Sequence, residues 1–151
     1  MSELQLQKQR YALCVEYDGS AYNGWQIQPH APSIQQCLNN AISLVADEHI
    51  ECTGAGRTDT GVHAAGQIVH FDSSAQRTLR SWLLGINSNL PHDIAVLWVC
   101  PVGQGFHARF SAIARSYRYV ILNRPVRSAL ERDRAWWVHP PLNHENMQRA
   151  A

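Results

Sequence analysis

Ile50-Glu51-Cys52-Thr53-Gly54-Ala55-Gly56-Arg57-Thr58-Asp59-Thr60-Gly61-Val62-His63-Ala64-Ala65-Gly66-Gln67-Ile68-Val69-His70-Phe71 is the run on which the architecture turns. Its ends are rich in β formers, so Ile50–Thr53 and Gly66–Phe71 are predicted as two consecutive strands. Glycines at 56 and 61 mark the loop between them, where the backbone turns and another molecule can approach closely. They bracket one carboxylate, Asp59, with Arg57 two positions before it. An exposed acid beside a fixed positive charge is a candidate nucleophile or general base. The competing reading is a turn aspartate that accepts from backbone amides. Arg57 is suited to anchoring a phosphate and to keeping Asp59 ionised by proximity. His63 reads as structural.

Helical and extended patterns flank this pair of strands. Tyr11–Tyr17 is predicted as a strand closed by Asp18-Gly19, and Ser20–Pro32 as a loop. Ser33-Ile34-Gln35-Gln36 is a capping box, and Leu38, Ala41, Ile42 and Val45 follow at helical spacing, which predicts a helix over 33–46. Leu79, Trp82, Leu83 and Ile86 mark a second helix, stopped near Asn89-Leu90-Pro91, and Ile94–Val102 is a strongly apolar strand. Phe106–Ala112 is a bend, Arg115–Leu122 alternates as a strand, and Asn143 caps a last helix containing Met147. The order β-α-β-β-α-β-β predicts an α+β fold. Helices cover one face of a mostly antiparallel sheet, and the other face is free to bind something.

The chain has 151 residues, enough for one domain with a sizeable core, here taken as 11–151 after a polar tail over 1–10. No apolar run approaches the ~20 residues of a membrane span, and the Gln-rich start is no signal peptide, so the compartment reads as cytoplasmic. Cys14, Cys37, Cys52 and Cys100 form no C-x-x-C pair, and the eight histidines show no ligand spacing. The cysteines therefore read as reduced thiols, and no metal is assigned.

Net charge is +1 but uneven. Residues 1–104 carry 5 Lys+Arg against 9 Asp+Glu, a net −4, whereas residues 105–151 carry 8 against 3, a net +5. Arginines dominate the basic part, among them Arg109, Arg115 and Arg118, and arginine forks onto phosphate and stacks on bases. Tyr117 shares a predicted strand face with Tyr119. Its ring is either core or a stacking platform for an unstacked base, and Arg115 and Arg118 favour RNA.

These segments together resemble the tRNA pseudouridine synthase A family. Gly56-Arg57-Thr58-Asp59-Thr60-Gly61-Val62-His63-Ala64 is similar to its G-R-T-D-x-G-V-H-A loop. Tyr17-Asp18-Gly19 with Tyr22 and Gly24-Trp25-Gln26 is similar to Y-D-G…Y-x-G-W-Q, and Ser33-Ile34-Gln35 to S-[IV]-Q. Asn87, Asn89-Leu90-Pro91 and Asp93-Ile94-Ala95-Val96 follow N-x-N-L-P-x-D-I-x-V. Phe106–Ala112 follows F-H-A-R-F-S-A, and Arg115-Ser116-Tyr117-Arg118-Tyr119 follows R-x-Y-x-Y. The resemblance runs from about Tyr11 to Ala151.

It implies a pseudouridine synthase, ferredoxin-like half-domain that isomerises uridine at positions 38–40 of the tRNA anticodon stem-loop. By this resemblance Asp59 is the nucleophile, attacking ribose C1′ or uracil C6. Tyr117 stacks on the flipped base or moves a proton, and Arg57 fills the vacated space or holds a phosphate. Arg109, Arg115 and Arg118 contact RNA. No cofactor is needed, because the isomerisation is redox-neutral. The partner is tRNA, and the enzyme is a homodimer. Family members are considerably longer, with a second half that supplies further strands and an arginine, so the chain is expected to be an N-terminal portion, inactive alone. Two other classes fit parts of the pattern. One is a non-catalytic RNA-binding module. The other is half of an aspartic protease, since Asp59-Thr60-Gly61 spells D-T-G, although Arg57 opposes the shared proton that such a pair needs.

Overall fold

A computed structural model of the chain describes residues 8–151. The described residues divide into two compact units, 8–114 and 115–151. The elements of the first are β1 (Gln9–Tyr17), α1 (Ile34–Ala46), β2 (Thr53–Gly54), β3 (Ala64–Ser73), α2 (Leu79–Asn89) and β4 (Ile94–Val102). Those of the second are β5 (Ile121–Asn123), β6 (Trp136–Val138) and α3 (His144–Ala150).

The first unit is an α+β layer. Its sheet has the order β2-β3-β1-β4, every neighbour antiparallel. That is the order of a ferredoxin-like β-α-β-β-α-β unit, in which each helix crosses over an intervening strand. Alternation on β1 sends Tyr11, Leu13, Val15 and Tyr17 to one face. There they join Val69 and Phe71 of β3, Ile34, Leu38 and Ile42 of α1, and Trp82 and Ile86 of α2 in one buried core. Tyr11, Phe71 and Trp82 form its aromatic centre, with ring centroids 5.2–5.4 Å apart.

The helices begin where side chains cap them. Ser33 accepts from Gln36 N–H, as half of a capping box, while Gln36 turns its own amide to Asn40 Oδ1. Thr78 accepts from Ser81 N–H at the start of α2, and Asn143 from Asn146 N–H at the start of α3.

Several expected boundaries move. β1 starts at Gln9, so residues 9 and 10 of the polar start belong to the sheet, and Arg10 is fixed by a two-bonded pair with Asp72. Residues 1–7 of the expected tail lie outside the described residues. The strand expected over 50–53 narrows to Thr53–Gly54. Residues 50–52 bond α1 side chains instead: Ile50 N–H donates to Ser43 Oγ, and Cys52 N–H to Asn39 Oδ1. The strand expected over 115–122 pairs regularly only from Ile121, with Val120 O accepting from Trp136 N–H at 2.8 Å at its edge. The face away from the helices is not wholly free. A turn over 103–112 lies against it, burying Ala108, whose N–H donates to His70 Nδ1 of β3.

In the second unit β5 and β6 pair in parallel, Ile121 opposite Trp136 and Asn123 opposite Val138. Asn123 ties the segment together. Its amide donates to Val138 O and Pro140 O and accepts from Leu142 N–H.

Candidate active site

The loop carrying Asp59 is the connection of the β2–β3 hairpin, held against the β1–α1 connection. Two backbone bonds, two bonds from the Gln67 side chain and one hydroxyl pair pin it. Trp25 N–H donates to Thr58 O at 2.9 Å, and Gly61 N–H to Tyr22 O at 3.3 Å. Gln67 clamps residue 56, donating to Gly56 O and accepting from Gly56 N–H. The Tyr17 hydroxyl lies 2.8 Å from Thr58 Oγ1. Backbone approach this close demands glycine opposite. Gly24 has φ +89, and a Cβ there would sit 2.5 Å from Thr58 O.

Asp59 opens a four-residue turn in which Val62 N–H donates to Asp59 O at 3.1 Å, and Gly61 supplies the positive φ, +79, of the third position. Nothing lies within 4 Å of a Cβ built at Gly61, so its requirement is conformational rather than steric.

The Asp59 carboxylate itself is exposed and accepts no hydrogen bond among the described residues. The turn-aspartate alternative needs a bond from the side chain to a backbone amide, and the turn here closes through the backbone carbonyl instead. Nearby acids are used differently. Asp18 accepts from Ser20 N–H and Oγ, Asp93 from the Tyr22 hydroxyl at 2.6 Å, Asp72 from Arg10, and Glu48 from Ser73 and Ser74. Those bonds draw Glu48 and Asp72 below the ordinary carboxylate range, led by the Ser73 hydroxyl and the Arg10 guanidinium.

Arg57 is exposed on the same loop, and no ion pair within 4.0 Å joins it to Asp59. Both side chains are exposed on the loop, so any influence of Arg57 on Asp59 acts through proximity and not through a direct ion pair. His63 closes the loop from below, its Nδ1 accepting Gly19 N–H at 3.0 Å and lying 3.1 Å from Asp18 Oδ1.

Two supporting residues were not assigned a role from sequence. Tyr22 and Asp93 form a brace under the loop. The Tyr22 hydroxyl donates to Asp93 Oδ1, Tyr22 O accepts from Gly61, and Asp93 O accepts from Asp18 N–H at 2.9 Å. Burial first, then the bond to Asp93, push the Tyr22 phenol far above its ordinary value, so it stays a donor. Both residues lie in the quoted motifs, but their contact spans 71 positions, beyond any local pattern.

The remaining candidates lie elsewhere. Arg109 is on the 103–112 turn, its guanidinium carbon 5.9 Å from the Phe110 ring centre. Tyr117, Arg115 and Arg118 belong to the second unit, where Tyr117 is 76% exposed. Burial raises the Cys52 thiol to about 12 and lifts Cys14 and Cys37 as well, which keeps these three protonated. Among the described residues no group of three or more His, Cys, Asp or Glu side chains gathers as a metal site.

Residues 13–111 match a family profile described as tRNA pseudouridine synthase. The chain belongs to the tRNA pseudouridine synthase family. It is 54% identical over 140 residues to tRNA pseudouridine synthase A of Hydrogenovibrio crunogenus, a match covering 93% of this chain and 53% of that protein. It is 53% identical over 142 residues to the proteins of the same name from Photorhabdus laumondii and Methylococcus capsulatus, covering 94% of this chain and 54% and 52% of theirs. The chain thus spans about half the length of the curated relatives it matches. The pseudouridine synthase profile covers the whole Asp59 hairpin, its Tyr22–Asp93 brace and Arg109. Arg115, Tyr117 and Arg118 lie past its end.

Proposed function

We propose that the protein isomerises uridine to pseudouridine in tRNA, with Asp59 as nucleophile. The observation that carries this is an exposed carboxylate, free of hydrogen bonds, on a loop whose backbone is pinned on both sides of it. An unbonded carboxylate keeps its lone pairs for attack, and the pinned backbone fixes where the attack is aimed.

The target uridine first leaves the base stack. Asp59 attacks ribose C1′, breaking the N1–C1′ bond, or adds to uracil C6. The base detaches and turns, C5 bonds to C1′, the aspartate is released, the C5 proton goes to solvent, and N1 takes up a proton in its place. Bonds made equal bonds broken, and no electrons are gained or lost overall. Arg57, beside the nucleophile, occupies the space left by the flipped base or holds a phosphate. Tyr117 stacks on the base or carries a proton, and Arg109, Arg115 and Arg118 contact RNA. Following the family resemblance, the proposal places the uridine at positions 38–40 of the anticodon stem-loop and the enzyme as a cytoplasmic homodimer.

The test is tritium release from tRNA carrying 5-tritiated uridine. Stoichiometric release is expected from a protein of the relatives' length that carries this sequence, and little or none from the 151 residues alone. Tight tRNA binding with no release by the longer protein would replace catalysis with a non-catalytic RNA-binding module.

A further inference from the structure

The turn over 103–112 is held more firmly than its position on the surface requires. Ala108 N–H donates to His70 Nδ1 at 3.1 Å, and Arg10 Nη1 donates to Gln104 O and Phe106 O at 2.9 and 2.7 Å. Arg109 and Phe110 N–H both point at His107 Nδ1, and His107 and Ser111 bond each other twice. Because Nδ1 of His107 accepts, its proton sits on Nε2, and the imidazole is locked in plane.

All this ordering ends in one side chain that takes no part in the core. Phe110 is 77% exposed, with one ring face laid on His107 at 4.2 Å and 26°. His107 in turn rests 4.6 Å from the buried His70. A lone exposed phenylalanine needs no explanation. A ring held flat by a neighbouring ring on a bonded turn is different, because its orientation is settled before any ligand arrives and little freedom is lost on binding. Arg109 lies 5.9 Å from the ring centre, the His107 and His70 imidazoles lie beneath, and Asp72, beside them, is taken by Arg10. Such surroundings suit a flat, uncharged ring attached to an anionic backbone.

We propose that Phe110, backed by His107, is a stacking site for one unpaired nucleobase of the substrate RNA, separate from the base undergoing reaction. This rests on the reading of the protein as a tRNA-modifying enzyme. His70 pairs with Ala12 on β1, whereas Tyr17, five residues on, holds the Asp59 loop. At ~3.3 Å per residue the two sites are about 16 Å apart along the strand, on the order of five stacked base steps. The enzyme therefore grips its RNA at two points, and the second helps to decide which uridine reaches the first.

The experiment uses the purified protein and a short RNA stem-loop with the unmodified anticodon arm, its unpaired positions replaced one at a time by 2-aminopurine. One position should be quenched on binding. That quenching should disappear with Phe110→Leu, which keeps an apolar side chain but no ring, and survive Phe110→Trp. Affinity should fall about tenfold for Phe110→Leu, ~1.4 kcal/mol, with an unchanged salt slope. The ring is exposed, so both variants should fold. Phe110→Leu binding within twofold of wild type, with quenching intact, would overturn the stacking site. So would normal RNA affinity accompanied by a change in oligomeric mass, which would assign the ring to a second copy of the chain. A wild-type protein that neither binds the RNA nor releases tritium would strike the functional reading itself, which separates the two failures.

Discussion

Residues 9–114 and 115–151 are built by different means. In the first unit, strand alternation and helical spacing converge on one apolar core, and the loops above it are tied down by backbone bonds from buried residues. In the second, no residue is buried. Two three-residue strands and a seven-residue helix are joined mainly through Asn123, while Leu130, Trp136, Val126 and Tyr119 stay exposed. A two-stranded sheet this short is marginal in water, and order without burial opens at low cost. The first unit can therefore hold a side chain firmly in place, whereas the second presents side chains that no buried core of its own holds.

The largest effect should follow from Asp59→Asn. The amide keeps the shape of the turn, which closes through the backbone, and removes the nucleophile. In a protein of the relatives' length that carries this sequence, turnover in the tritium-release assay should fall to background, with tRNA affinity within about tenfold, ~1.4 kcal/mol. Near-normal turnover would remove chemistry from the first unit and break the comparison.

The contrast in packing is tested by two truncations. Trp82→Ala empties a fully buried site at the aromatic centre, and should cost about 3–5 kcal/mol in urea unfolding. Trp82 Nε1 has no hydrogen-bond partner among the described residues, so the expected loss is one of packing. Leu130→Ala, at 88% exposure, should change stability by no more than about 0.5 kcal/mol. A comparable loss for Leu130→Ala would show that the second unit has a core after all.

The same division explains what was legible in the sequence. Segments whose neighbours along the chain also supply their packing were readable to within a residue or two: β4, α2 with its stop at Asn89, and α1 with its Ser33 cap. Where distant groups compete for the backbone, local pattern misleads. Residues 50–52 look like a strand, but α1 side chains take their N–H groups. Residues 115–120 alternate well, yet regular pairing with β6 begins only at Ile121, and alternation alone makes no ladder. β6, only three residues long, carries no periodic signal. At the site, Asp59 and Arg57 were visible because glycines and charge mark their loop, whereas the Tyr22–Asp93 brace was not, since its partners meet only once β1 and β4 are paired.

If the second unit acts by binding, its residues should affect affinity in separable ways. Tyr117→Ala should lose about 1–3 kcal/mol of RNA binding, and Tyr117→Phe should keep it. If Tyr117→Phe is also fully active, the hydroxyl moves no proton and stacking is its whole role. Arg115→Ala and Arg118→Ala should each weaken binding and flatten its salt dependence by roughly one counterion, as phosphate contacts do. Unchanged slopes in both would make this a solvated basic surface.

The smallest effect concerns how the first unit holds its surface turns. His70 accepts Ala108 N–H through Nδ1 and so must be neutral there. Burial first, then the electrostatic influence of Arg10 and His107, hold its pKa below the ordinary value, with Asp72 pulling weakly the other way. The unfolded chain takes up this proton near pH 6.5, and the folded chain only at lower pH. Stability from His70 is therefore fully present above about pH 6.5 and is lost as pH falls toward the folded value. His70→Asn offers Oδ1 as an acceptor in the same place and does not titrate in this range. The wild-type Tm should fall more steeply than the variant's between pH 7 and 5, by about 2–4 °C at most. Parallel profiles would mean that the turn is held by Arg10 and by its own bonds alone, and that the imidazole beneath it is packing and nothing more.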